Sequence, residues 1–174
     1  FKEFKKKEGT AMYAVVQRFA RNNIIVDLGK VEATLPEWEQ ARDHKYELFE
    51  RFQVYILKVE QSPRGPKITV SRTHPGLVKR LYELEVPEVS DHTVEIKQIV
   101  REPGYRCKVA VLSNNERVDP VGACVGVKGS RVQAIISELS GERMDLISYS
   151  TDPTTYIANS LSPAKVVSVT IEKN

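Results

Sequence analysis

Cysteine is nearly absent from this chain: Cys107 and Cys124 are the only two in 174 residues. They lie far apart and form no Cys-x-x-Cys, which argues against a disulfide framework or a zinc site and makes a reducing, cytoplasmic setting the expectation. Histidine is also scarce. His44, His74 and His92 are not at metal-ligand spacing, so no metal or cofactor is expected. His44 beside Asp43 lacks a nucleophile, Ser113 and Ser130 lack a base nearby in sequence, and no catalytic constellation emerges. No apolar run approaches the roughly 18 residues of a membrane span. Neither sign of charge dominates: 26 basic residues against 23 acidic leave +3. A nucleic-acid partner would therefore have to be met by a local patch. The chain begins at Phe1 with a Lys/Glu-rich run rather than a signal peptide, which suggests a piece of a longer protein.

What is present suffices for two small domains. Residues 1–9 read as a solvated lead-in linker. From Ala11 the pattern becomes strand-like: Ala11 to Phe19, Ile24 to Leu28, Val31 to Leu35, Phe52 to Val59 and Lys67 to Ser71. Asn22-Asn23 suits a hairpin turn, because Asn tolerates positive φ. Pro36 to Gln40 reads as one helical turn, with Glu37, Glu39 and Glu47 on an exposed acidic face. Five short strands over residues 10–71, with a helical turn after the third, predict a closed five-stranded OB-type β-barrel. At least one of Tyr13 and Phe19 is expected in its core.

Residues 72–150 switch character. Leu77, Leu81 and Leu84 recur at helical spacing after Pro75, and Pro87 ends that helix. Val94 to Arg101 and Arg106 to Leu112 alternate around Glu102-Pro103-Gly104-Tyr105, a β-hairpin. A helix over Asp119 to Val125 and another over Ser130 to Leu139 flank Gly126-Val127-Lys128-Gly129. The second helix carries Val132, Ile135, Ile136 and Leu139 on one face, and Met144 to Tyr149 forms a strand. In residues 151–174, a helix capped by Asp152 precedes a strand over Val166 to Ile171. The short link near Ser71-Arg72 predicts a preferred mutual orientation of the two domains.

Gly-x-x-Gly alone is weak, but this one sits between two helices, after a hairpin and before a strand. KH domains clamp about four nucleotides over such a loop. Two glycines let the chain turn sharply and let phosphates approach without a Cβ in the way. The following helix N-terminus favours an anion. Val125, Gly126, Val127, Lys128, Gly129, Ser130 and Arg131 are the expected RNA-binding residues. Arg18, Arg21, Arg106 and Lys108 are possible secondary contacts. For Arg101, Arg106 and Lys108, a solvated strand face competes with that role.

The strings Asp119 to Gly126 and Gly129 to Ile135 resemble the first KH domain of the NusA family of bacterial transcription factors. So do Ser71-Arg72-Thr73-His74-Pro75, Leu84 to Val89, Arg101-Glu102-Pro103-Gly104 and Leu161 to Val166. The resemblance implies an α+β chain with an S-one-type OB barrel followed by a prokaryotic-type (type II) KH domain. Val166 to Ile171 would then begin a second KH domain. It further implies a cytoplasmic, non-enzymatic, monomeric module acting in RNA polymerase pausing, termination and antitermination. The implied partners are single-stranded RNA, RNA polymerase (largely through other parts of the protein) and other antitermination factors, with no membrane. RNA-binding S-one-type barrels carry aromatics where this chain has Asn22 and Ile25, and losing a base–aromatic stack costs about 1–3 kcal/mol. Two alternatives remain: the RNA-binding end of a phosphorolytic exonuclease, which places KH before the barrel, and a degenerate KH interaction module, which loses its loop glycines.

Overall fold

In the computed structural model, which describes residues 1–173, two hydrophobic cores lie side by side along the chain. The first is built by five strands: β1 (Ala11–Ala20), β2 (Asn23–Asp27), β3 (Glu32–Leu35), β4 (Arg51–Ser62) and β5 (Gly65–Ser71). Val16, Val26, Leu35, Val54, Ile56 and Val70 are fully inside it. The alternation of β4 changes phase at a bulge between Ile56 and Lys58, so Val54, Ile56 and then Val59 point inward. A second bulge, between Val16 and Arg18, ends the buried pattern of β1 and leaves Phe19 half exposed. Tyr13 is also about half exposed, under the Arg51 guanidinium at 3.7 Å from its ring centroid. Neither aromatic enters the core, contrary to expectation. Positive φ at the β1–β2 turn falls on Arg21 (58°), not on the asparagines.

The expected closed five-stranded OB-type barrel requires correction at one seam. Its strands follow the ring order β1-β2-β3-β5-β4, and four of the five seams are antiparallel ladders. The fifth seam, β3 to β5, is a single parallel bridge between Thr34 and Thr69. Beside it a cleft of about 470 Å³ opens between Val31–Thr34 and Gly65–Ile68. β3 is four residues long, and Pro66 has no N–H to offer a ladder. The unit is a curled five-stranded sheet whose last seam is one residue pair wide. The lead-in also differs from a solvated linker. Lys2–Lys5 forms a helical turn, α1, that buries Phe4 to 4% exposure, and the Glu8 carboxylate accepts from Val59 N–H at 2.7 Å.

The second core belongs to α2 (Pro75–Glu85), α3 (Pro87–Ser90), β6 (Val94–Glu102), β7 (Arg106–Ser113), α4 (Pro120–Val125), α5 (Ser130–Glu138) and β8 (Arg143–Ser148). β6 and β7 are antiparallel, and β8 joins β7 in parallel. This helix–strand–strand–helix–helix–strand order is the one expected of the KH unit. His74 caps α2 by accepting from Gly76 N–H at 2.9 Å, with Pro75 at the first helical position. Pro87 does more than end α2: it opens the separate short helix α3. Leu77, Val78, Leu81 and Tyr82 form the buried stripe of α2, while Leu84 is exposed. On α5 only Ile135 is fully buried, with Leu139 just beyond its end. Burial pushes the Cys107 thiol up to about 12 and the Cys124 thiol up to about 11, so both are packing residues rather than nucleophiles.

A last helix, α6 (Pro153–Ser160), packs on β8; Asp152 caps it by accepting from Thr155 N–H at 3.2 Å. The strand expected over Val166 to Ile171 is not formed. The segment has no ladder partner, and the Val167 side chain is fully exposed. Without a neighbour to satisfy its N–H and C=O groups, an extended segment gains nothing from being a strand.

The two units are joined by a buried polar hub. Arg101 donates to both oxygens of Glu142 at 2.9 and 3.0 Å and to the carbonyls of His74 and Arg72 at 2.9 Å. Arg72 donates to Gln53 C=O at 2.8 Å and Glu138 C=O at 2.9 Å, while the Glu138 carboxylate accepts from Gln53 N–H at 2.5 Å. Burial pulls the Arg72 pKa down, with the Glu138 carboxylate opposing. Outside the hub, the His74 and Tyr55 rings stack at 4.4 Å, and Arg80 reaches Gly9 C=O at 2.6 Å. Donors and acceptors from both units therefore fix their mutual orientation.

Candidate nucleic-acid interface

The Gly-x-x-Gly segment is a strained, open turn. α4 ends at Gly126, whose φ of 77° and ψ of 175° lie in a region essentially reserved for glycine. A Cβ there would stand 2.7 Å from Arg131 Cγ and 3.0 Å from Arg131 N. Lys128 and Gly129 are both left-handed, at φ 53° and 75°. A Cβ on Gly129 would meet nothing closer than Val132 Cγ1 at 4.0 Å, so its surface is open to a ligand. Val127 is 82% exposed, and Lys128 is exposed with no ion pair or side-chain hydrogen bond among the described residues. Behind the turn, α5 starts with no side-chain cap on its N-terminal N–H groups, and Ser130 is exposed. A free ammonium, an open glycine surface and uncapped helix N–H groups converge on one spot, an arrangement suited to a phosphate.

The remaining expected site residues divide sharply. Val125 is half-buried at the end of α4, beside the fully buried Cys124. Arg131 is committed to the protein: its guanidinium donates to Glu88 at 2.8 Å and to Ala123 C=O at 2.7 Å, tying α4, α5 and α3 together. Arg18 forms a two-pronged pair with Glu32 at 2.8 and 3.1 Å. Arg106 is paired with Asp145 at 2.6 Å, and Lys108 donates to Ser160 C=O at the end of α6. Arg21 sits exposed at the β1–β2 tip, far in sequence from the loop. The loop brings together Gly126 to Ser130; of the four secondary candidates, Arg18, Arg106 and Lys108 are bound to partners elsewhere. His44 is bonded to Glu50 at 2.6 Å, and Glu39 is held by Thr73 at 2.8 Å and by Ser71. Among the described residues no cluster of ligating side chains could hold a metal.

Two features escaped sequence reasoning. The buried Arg101–Glu142 pair joins residues 41 positions apart, and nothing local in sequence marks it. The other is a cleft of about 730 Å³ between the units, with the exposed rings of Trp38 and Tyr105 on it. The composition could have flagged Trp38, since it is the one tryptophan in the chain.

Comparison with known proteins agrees with this geometry. Residues 72–149 match the model of the NusA-like first KH domain. The chain is 53% identical over 99% of its length to the transcription termination/antitermination protein NusA of Halalkalibacterium halodurans, covering 45% of that protein. It is 50% identical to the Bacillus subtilis protein of the same name, covering 47% of it, and 48% identical to that of Thermus thermophilus, covering 45%, each over 99% of this chain. The chain thus spans about half the length of the curated relatives it matches. Residues 72–149 are thus similar to the NusA-like first KH domains, and the chain as a whole is similar to one segment of the bacterial NusA proteins.

Proposed function

We propose that this chain is a non-enzymatic RNA-binding segment of a cytoplasmic bacterial transcription factor that modulates pausing, termination and antitermination. Its loop Gly126 to Ser130 grips the sugar–phosphate backbone of single-stranded RNA. The observation that carries the reading is the loop itself: an unpaired Lys128 held outward in a left-handed turn above an uncapped helix. RNA polymerase and other antitermination factors are the protein partners this reading brings, through surfaces of the whole protein. The two-domain division at residues 71 and 72 follows the two cores and the start of the matched KH region. Arg131 belongs to this reading as the brace of the turn rather than as a phosphate contact.

The test is Val127→Asp combined with Lys128→Asp. Two carboxylates would face phosphate oxygens, and like charges about 4 Å apart repel by roughly 1–4 kcal/mol depending on the local dielectric. Titration of end-labelled single-stranded RNA should show binding lost, with an unchanged circular-dichroism melt because both side chains are exposed. Wild-type binding by a normally folded variant would remove the loop from the interface.

A further inference from the structure

The cleft between the two units has the shape and chemistry of a second ligand site, and nothing in the loop explains it. One wall is the single helical turn Glu37–Glu39, which displays Trp38 at 74% exposure. The other is the tip of the β6–β7 hairpin, which displays Tyr105 at 58% exposure. Large aromatic side chains gain by burial, and here two that pair with no other ring share one cleft from different units. Arg42 lies in the same lining, exposed and without an ion partner among the described residues.

The two walls approach closely at the hairpin tip. The hairpin tip packs on the loop below Trp38: a Cβ on Gly104 would lie 3.7 Å from Ala41 Cβ and 3.8 Å from Arg42 N. Gly104 N–H donates to Glu142 at 2.7 Å, which ties the same tip to the buried Arg101 pair. The cleft is therefore pre-organised, and a ligand need not order it first.

We propose that this cleft binds one nucleobase of single-stranded RNA, stacked on Trp38 and Tyr105, with the adjoining phosphate at Arg42. Unpaired RNA bases are held in this manner, on aromatic faces beside a guanidinium. Asp43 and Glu102 also line the cleft, and their carboxylates repel phosphate. They therefore favour the uncharged base inside and leave the backbone at the Arg42 edge. The site is distinct from the Gly-x-x-Gly loop. That loop is at the N-terminal end of α5, whereas the hub holding this cleft grips Glu138 at the C-terminal end, nine residues or about 13 Å along the helix. The proposal rests on the RNA-binding reading given above and extends it to a second contact.

Trp38, as the sole tryptophan, reports on the cleft directly. Short single-stranded RNA of mixed sequence, labelled at one end, is titrated into the chain while label anisotropy and tryptophan emission are both recorded. Emission should be quenched in step with binding. Trp38→Ala and Tyr105→Ala should each weaken binding about five- to a hundred-fold, and Tyr105→Phe should bind nearly as wild type. RNA that binds by anisotropy with emission unmoved and with Trp38→Ala unaffected overturns the cleft while leaving the loop standing. No RNA binding by any variant or by wild type overturns both. Quenching by a proline-rich peptide and not by RNA overturns the proposal in favour of a peptide groove.

Discussion

The two ends of helix α5 are opposites. At its N-terminus the chain is strained and open, with glycines at 126 and 129, a left-handed Lys128 and N–H groups that no side chain caps. At its C-terminus Glu138 and Glu142 are locked into the seam between the units, with the Glu142 side chain fully buried and the Arg101 side chain 2% exposed. Both ends carry charge, but only one leaves charge unspent. A basic residue near a candidate site counts toward ligand binding only if its own protein has not already neutralised it. By that measure Lys128 is available, whereas Arg131, Arg18 and Arg106 are not.

The comparison is broken most severely at the locked end. Glu142→Gln removes one charge of a buried pair and leaves Arg101 facing a neutral amide. Removing one partner of such a pair costs about 3–5 kcal/mol, against a total stability of roughly 5–15 kcal/mol for a folded domain. The urea midpoint should fall sharply. Arg101→Met together with Glu142→Leu should recover part of the loss, because no charge is then left unpaired, while the His74 and Arg72 carbonyls and Gly104 N–H lose their partners. If Glu142→Gln melts like wild type, the buried Arg101–Glu142 pair does not hold this end of the second unit.

That hub shows where sequence reasoning ends. Apart from the short helix α3, the order of elements in residues 75–148 was legible, because the other helices and strands announce themselves by local period and by Pro or Gly at their ends. The Gly-x-x-Gly turn was legible for the same reason. The neutralisation of Arg131 and Arg106 was not, since their partners Glu88 and Asp145 are 43 and 39 positions away. The thin seam of the first sheet was also hidden: strand number can be read from alternation, but the length of the β3–β5 ladder depends on where two non-adjacent strands diverge. Val166 to Ile171 has strand-like residues and no strand, because propensity without a ladder partner does not suffice.

The open end is sharpened by separating its two glycines. At Gly126 an added methyl meets both an essentially glycine-only backbone region and Arg131 at 2.7 Å, so Gly126→Ala should cost about 2–4 kcal/mol of stability. At Gly129 the neighbourhood is empty and only the left-handed φ opposes alanine, which costs about 1–2 kcal/mol. The methyl of Gly129→Ala would instead occupy the surface where a phosphate approaches. Melts should therefore rank Gly126→Ala as the less stable variant. Gly129→Ala should lose RNA affinity out of proportion to its stability. Equal ratios of lost affinity to lost stability would show that the open surface at Gly129 is not used.

The smallest effect is the most discriminating, because it tests whether an unpaired cation and a paired one differ in use. Each phosphate contact on a single strand contributes about 0.7 to the slope of log K against log salt. Lys128→Ala removes one such contact, so the slope should flatten by about 0.7, with little change in the melt because Lys128 is exposed and makes no ion pair or side-chain hydrogen bond among the described residues. Arg131→Ala should do the reverse. Its guanidinium already faces Glu88 and the Ala123 carbonyl, so its loss should cost about 1–2 kcal/mol of stability and leave the slope unchanged. Both variants delete one positive charge, and total charge alone would give them the same slope. The experiment is a set of binding titrations at several salt concentrations below the melting transition of each variant. Equal flattening by the two would mean that RNA senses the net charge of this end of the molecule, and that Lys128 has no phosphate of its own.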